Sequence, residues 1–170
     1  MKKLFLTIGC LILVTSLFAQ RFAVVDTDYI LSNIPEYELA QDRINDQAVE
    51  WQKEIEKKFA EIEEMYRAYQ AEAVLLPADE KKKREEQIIA KEREAKELQR
   101  KRFGSDGDLT RRRQELIKPI QDRIYNAIEE IANRSNFAVV FDKAGALSML
   151  YVNPRNDISD DVLQALGYGR

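Results

Sequence analysis

The sequence predicts a mainly α fold with a small β body: a long antiparallel helical-hairpin, coiled-coil arm set on a small strand-containing body. Three observations predict it. Apolar residues recur in steps of three and four across the first half of the chain, and 34% of the 170 residues are charged with only six glycines and four prolines. Short apolar runs of strand length lie close to both ends. High charge with few helix breakers favours long helices, and a repeat near 3.5 residues is the period of a coiled coil.

The chain opens with Lys2 and Lys3, an apolar run over residues 4–18, and then Ala19 and Gln20. That order is a secretory signal with cleavage expected after Ala19; the apolar run is shorter than the roughly 20 residues a membrane anchor needs. Cys10 sits in the middle of that run, so lipidation is not expected. Loss of residues 1–19 removes the only cysteine and two lysines, leaving 25 basic and 30 acidic residues, a net charge of −5. The expected location is the periplasm, with no stable membrane anchor after signal cleavage.

With no histidine and no cysteine left, the usual metal ligands, thiol nucleophiles and proton shuttles near neutral pH are missing. Neither Gly-x-Ser-x-Gly, Ser-x-x-Lys nor a phosphate-cradling Gly-x-x-x-x-Gly-Lys occurs. No enzyme, no cofactor and no metal site is expected; a carboxylate-only enzyme is the weakest of the rival readings.

Residues 22–25 (Phe-Ala-Val-Val) read as a buried strand, followed by a helical turn capped by Asp26 or Thr27 and ended at Asn33 and Ile34. Pro35 suits the start of the next helix. From Tyr37, the positions Ala40, Ile44, Ala48, Trp51, Ile55, Phe59, Ile62, Tyr66, Tyr69, Ala73 and Leu76 cover 39 residues in 11 steps. One continuous helix of about 60 Å follows from the ~1.5 Å rise per residue. Pro77 breaks it and Asp79 offers a cap, so the chain turns back with its tip near residues 74–80. The return helix from Glu80 is far more polar. Residues 103–107 (Phe-Gly-Ser-Asp-Gly) interrupt it, and it resumes at Asp108 with Leu109, Leu116, Ile120, Ile124, Ala127 and Ile131 on one face.

Residues 137–141 (Phe-Ala-Val-Val-Phe) and 148–152 (Ser-Met-Leu-Tyr-Val) read as a strand pair around a turn with Gly145. Ser159 is the expected cap of a helix over residues 160–166 that ends at Gly167. If the hairpin turns near residue 78, Tyr37 lies level with residue 119. Pro119 is accordingly expected at the junction of arm and body, as a hinge. The body is then residues 20–35 with 120–170, and the arm residues 36–119. Such short strands cannot bury enough apolar surface alone, so other copies of the chain should complete the body, with Phe22, Val24, Val139, Phe141, Leu150 and Val152 as its shared core.

Residues 36–76 carry a net charge of −6 and residues 80–102 one of +4. Lys81, Lys82, Lys83 and Arg84, like Arg111, Arg112 and Arg113, are therefore read as paired, solvated faces, and no nucleic acid is expected. Trp51, Phe59, Tyr66 and Tyr69 form an aromatic series shared between seam and binding surface, and Val74, Leu75 and Leu76 are exposed at the tip.

Taken in order, residues 22–31 (Phe-Ala-Val-Val-Asp-Thr-Asp-Tyr-Ile-Leu), 115–132 (Glu-Leu-Ile-Lys-Pro-Ile-Gln-Asp-Arg-Ile-Tyr-Asn-Ala-Ile-Glu-Glu-Ile-Ala) and 150–167, with Asn156-Asp157-Ile158-Ser159, resemble the Skp (OmpH-like) periplasmic chaperones. The resemblance implies a homotrimer whose arms enclose a cavity that holds unfolded outer-membrane β-barrel proteins without ATP. Trp51, Phe59, Tyr66, Tyr69, Val74, Leu75 and Leu76 are the candidate client contacts. The alternative is a non-catalytic envelope adaptor whose coiled coil docks a folded partner. Well-studied members of the family are strongly basic, whereas this chain is acidic, and no lipopolysaccharide site is carried over.

Overall fold

The computed structural model describes residues 21–145 and 149–169. The leader, its Ala19 cleavage point and Ser148 lie outside the described residues. The elements in order are β1 (Arg21–Val25), α1 (Thr27–Ser32), α2 (Pro35–Glu72), α3 (Ala78–Phe103), α4 (Asp108–Ser135), β2 (Phe137–Asp142), a 3-10 turn (Pro154–Asn156) and α5 (Ser159–Ala165). These fall into two compact units, one formed by residues up to Pro35 and from Gln121 onward, the other by Glu36–Ile120. The mainly helical fold with a small sheet and a long helical hairpin is thus the one the residue pattern predicts.

In the second unit, α2 is a single helix of 38 residues. Its period is set by Ala40, Ile44, Ile55 and Ile62, all buried. It stops at Glu72, four residues before the last apolar position of the repeat, where the Leu75 amide bonds back to the Glu72 carbonyl at 2.9 Å. The missing N–H of Pro77 prevents the helix from running on. α3 begins at Ala78 with Pro77 at its cap position and no side-chain cap. Asp79 does not cap it, as expected from sequence, but lies within the first turn, where a carboxylate still meets the positive helix end.

The hairpin pairing is antiparallel. Glu72 with Arg84, Tyr69 with Glu85 and Glu54 with Arg102 are cross-helix partners, each pair centred on residue 77 or 78. Other ion pairs run along one helix, as Glu63 with Arg67, Lys82 with Glu86 and Glu92 with Lys96 do. Pairs within a helix leave its net charge unchanged, so the opposite net charges of α2 and α3 are met across the hairpin by Glu72 with Arg84 and Glu54 with Arg102.

In the first unit, β1 and β2 form a parallel two-stranded sheet, with Phe22 opposite Val139 and Val24 opposite Phe141. This corrects the predicted strand pair: β2 takes β1 as its partner, and the described residues 149–152 form no strand. On its other side β1 is bridged by Asp157, the Ile158 amide donating to the Val24 carbonyl at 2.9 Å. Ala23, Val24, Val25, Ile30, Ile158, Val162 and Leu163 are buried there, and Ile124, Ala127 and Ile131 are the buried face of α4. Phe22 departs from the buried strand expected, since about half of it is exposed.

Caps follow local chemistry. Asp26 accepts the Tyr29 amide at 2.9 Å and starts α1. α4 ends at Asn136, whose φ of 53° is the left-handed conformation that asparagine tolerates, and β2 starts at the next residue. Gly167, with φ of 87°, stops the chain after α5 in the same way. Ser159 is not the cap expected; it is the first residue of α5, and Asp157 Oδ1 accepts its amide at 3.0 Å.

Candidate binding surfaces

The arm separates the aromatic series into two roles. Ile62, Ile88 and Ala95 form the buried seam, with Met65 and Tyr69 packed against it. Tyr69 also donates its hydroxyl to Glu85, a bond that raises the phenol above its ordinary pKa by stabilising the protonated form. Trp51 is half-buried, whereas Phe59 and Tyr66 remain exposed. At the tip Val74 is 90% and Leu75 85% exposed, while Leu76 is half-buried. Burying either tip side chain against a partner is worth about 1.5–3 kcal/mol. Of the seven candidate contacts, then, Phe59, Tyr66, Val74 and Leu75 are open to a partner, and Trp51, Tyr69 and Leu76 are partly engaged within the arm.

Arg102 was not singled out by the sequence pattern, yet it organises the break between α3 and α4. Its Nη1 donates to Asp108 Oδ2 at 2.7 Å, its Nη2 lies 3.5 Å from Glu54, and its guanidinium carbon sits 4.8 Å from the centre of the Trp51 ring. Its Nε is buried with no acceptor among the described residues, a local cost of about 1–3 kcal/mol. The glycines of the interruption now have a reason. A Cβ on Gly104 would strike the Arg100 carbonyl oxygen, and one on Gly107 would meet backbone atoms of Arg102 and Gly104 at 2.9 Å.

The strand-containing unit carries a second open surface. Phe22, Val139 and Phe141 are each about half exposed, Tyr151 is 80% and Leu150 98% exposed. Phe22 and Phe141 meet edge to face with centroids 6.4 Å apart. Together with Met149, Tyr151 and Val152 they border an apolar groove, and no strand pairs along the outer edge of β2 among the described residues. Val24 differs from the other predicted core residues, being buried in its own chain.

Beneath that surface a polar cluster ties the chain ends together. Lys143 Nζ lies 2.7 Å from Asp157 and 3.6 Å from Asp26. Ser159 Oγ accepts the Asp26 amide at 2.8 Å and donates to Asp157 Oδ1 at 2.6 Å. Asp142 accepts the Thr27 hydroxyl at 2.6 Å and the Ala144 amide at 3.1 Å. Partial burial pushes the Asp142 and Asp157 carboxyls up, but hydrogen bonds from Thr27 and Ala144 outweigh it at Asp142, and those from Lys143 and Ser159 together with the Lys143 charge outweigh it at Asp157, so both lie below the usual carboxylate range. The hydrogen bond to Asp157 correspondingly raises Lys143. Lys143 and Asp157 satisfy each other, with Ser159 and Asp26, while Asp142 is satisfied by Thr27 and the Ala144 amide, so these groups serve folding.

Among the described residues no helix is long and apolar enough to cross a membrane, and no group of three or more His, Cys, Asp or Glu side chains gathers as metal ligands would. The described residues thus form a helical hairpin with an apolar tip and a small parallel sheet bordered by an apolar groove.

Residues 21–166 match the family model described as outer membrane protein (OmpH-like), and the chain belongs to that family. It is 28% identical over 149 residues to an uncharacterized protein of Aquifex aeolicus, covering 88% of this chain and 87% of the other. It is 25% identical, over the same length and shares, to chaperone protein Skp of Yersinia enterocolitica. A crystal structure from Caulobacter crescentus, described as an OmpH-like outer membrane chaperone, superposes with a TM-score of 0.68 at 14% identity, covering 86% of this chain and 83% of the other. At that identity the likeness is one of fold.

Proposed function

We propose that the chain is an ATP-independent holdase of the periplasm, which binds unfolded outer-membrane proteins between the arms of a homotrimer and keeps them from aggregating. The observation that carries this reading is the exposure of large apolar side chains at the hairpin tip, Val74 and Leu75, with Phe59 and Tyr66 exposed along α2. Exposed apolar surface marks an interaction site, and scattered contacts of this kind hold a chain without demanding one sequence. Family membership and a relative named chaperone protein Skp support the chaperone role.

The trimer is supported by the unfinished body. The open edge of β2, the exposed Phe22, Val139 and Phe141, and residues 149–153, of which Met149, Tyr151 and Val152 border the same groove, offer an edge and a segment able to complete a sheet between copies. Export through a cleaved leader and an arm hinge at Pro119 belong to the same proposal.

A urea-denatured outer-membrane barrel diluted into buffer should stay clear when about one trimer per client is present. Replacing Val74 and Leu75 by serine should weaken the protection severalfold, at about 1.5–3 kcal/mol per lost apolar contact at most. Full turbidity at threefold excess of the chain would reject the holdase and favour the envelope adaptor docking a folded partner.

A further inference from the structure

The contacts around Arg102 lie outside the buried apolar seam of Ile62, Ile88 and Ala95 and away from the exposed tip. Arg102 stands one residue before the end of α3, and its guanidinium reaches Glu54 and Trp51 on α2 and Asp108 at the start of α4. One side chain therefore ties the three helices of the arm at the point where the backbone is broken. Asp108 is shared with Arg111, 3.7 Å away, whose guanidinium also donates to the Asp106 carbonyl at 3.2 Å. The break closes its own backbone bonds without Arg102: Gly104 to the Arg100 carbonyl at 2.8 Å, Gly107 to Gly104 at 2.9 Å, and Arg111 to Gly107 at 3.1 Å.

We propose that Arg102 is a latch: closed, it fixes the α3–α4 break against α2 and covers one face of Trp51; open, it frees both. Three features make it a latch rather than a permanent part of the core. Its ties to α2 and α4 are electrostatic, between side chains of which 20–44% remains accessible, so salt can weaken them. Its Nε gives up a hydrogen bond to lie over the ring. The helices on either side keep their own backbone bonds when it lets go. The device is independent of what the arm holds.

Trp51 is the only tryptophan of the chain, so its fluorescence reads the latch directly in the intact assembly. Quenching by neutral acrylamide should rise about twofold in Arg102→Ala, because one of the two ring faces is uncovered. It should rise in the same direction in Asp108→Asn, which keeps the guanidinium and every apolar contact. Raising NaCl from about 0.1 to 1 M, which shortens the screening length to about 3 Å, should move the wild-type chain towards Arg102→Ala and leave that variant unchanged. Should Arg102→Ala lose helical circular dichroism, Asp108→Asn and the salt titration decide. Equal quenching in the wild type and in each variant that keeps its helical signal, or a wild-type signal insensitive to salt, overturns the latch.

Discussion

Asp142, Asp157 and Lys143 couple the strand-containing unit to pH. Both carboxyls are held below their ordinary value. Their contribution to stability is therefore complete above the unfolded carboxylate pKa of about 3.9 and is lost as pH falls through the lower folded values. Lys143 works in the opposite sense: its contribution is present below the unfolded lysine value of about 10.4 and disappears as pH rises through its raised folded pKa. Urea midpoints followed by circular dichroism should be flat between these limits and fall below about pH 4. Asp157→Asn should lower the neutral midpoint and flatten the acid limb; an unchanged acid limb would show that the cluster does not bear on stability. Of these residues the sequence pattern revealed Asp26, because a cap is a local device. Ser159 was misassigned for the converse reason: its hydroxyl bonds Asp26, 133 positions away, and no local pattern encodes that partner.

At the scale of elements, α2 was legible nearly end to end, since the heptad spacing of Ala40, Ile44, Ile55 and Ile62 is the same information that buries them. The break at Gly104 and Gly107 was legible as a break, while its geometry was not, because it depends on Arg102 reaching Trp51 and Glu54 on another helix. Strand pairing was the main failure. Alternating or continuous apolar runs specify a strand and not its partner, and β2 pairs in parallel with a strand more than a hundred residues upstream that carries the same Phe-Ala-Val-Val. Pro119 lies inside α4, which continues on both sides of it. Replacing it with alanine restores the N–H that can bond the Glu115 carbonyl and should stabilise α4 by about 1–3 kcal/mol. Within the hinge reading it should also narrow the spread of distances between spin labels on arm and body. An unaltered distribution would remove Pro119 as the hinge.

At the scale of the whole molecule, the trimer proposal treats the single chain as unfinished. A single copy leaves Leu150 and Tyr151 almost fully in solvent, Phe22, Val139 and Phe141 half uncovered and one edge of a two-stranded sheet unpaired among the described residues. A sheet this small is marginal alone, and an apolar surface beside an open edge is the usual place for another copy to add. Of the residues the sequence places in a shared core, Phe22, Val139, Phe141 and Leu150 are exposed in a lone chain, whereas Val24 is buried and Val152 partly so. Within the holdase proposal, the net negative charge of this chain makes apolar contacts at the tip and along α2, rather than charge, the expected basis of client binding. The measurement that tests the trimeric holdase most directly is the mass by light scattering, with and without an unfolded outer-membrane barrel. The account predicts the mass of three chains alone and of three chains plus one client in the mixture. A monomer, or a trimer whose mass is unchanged by the client, would contradict it.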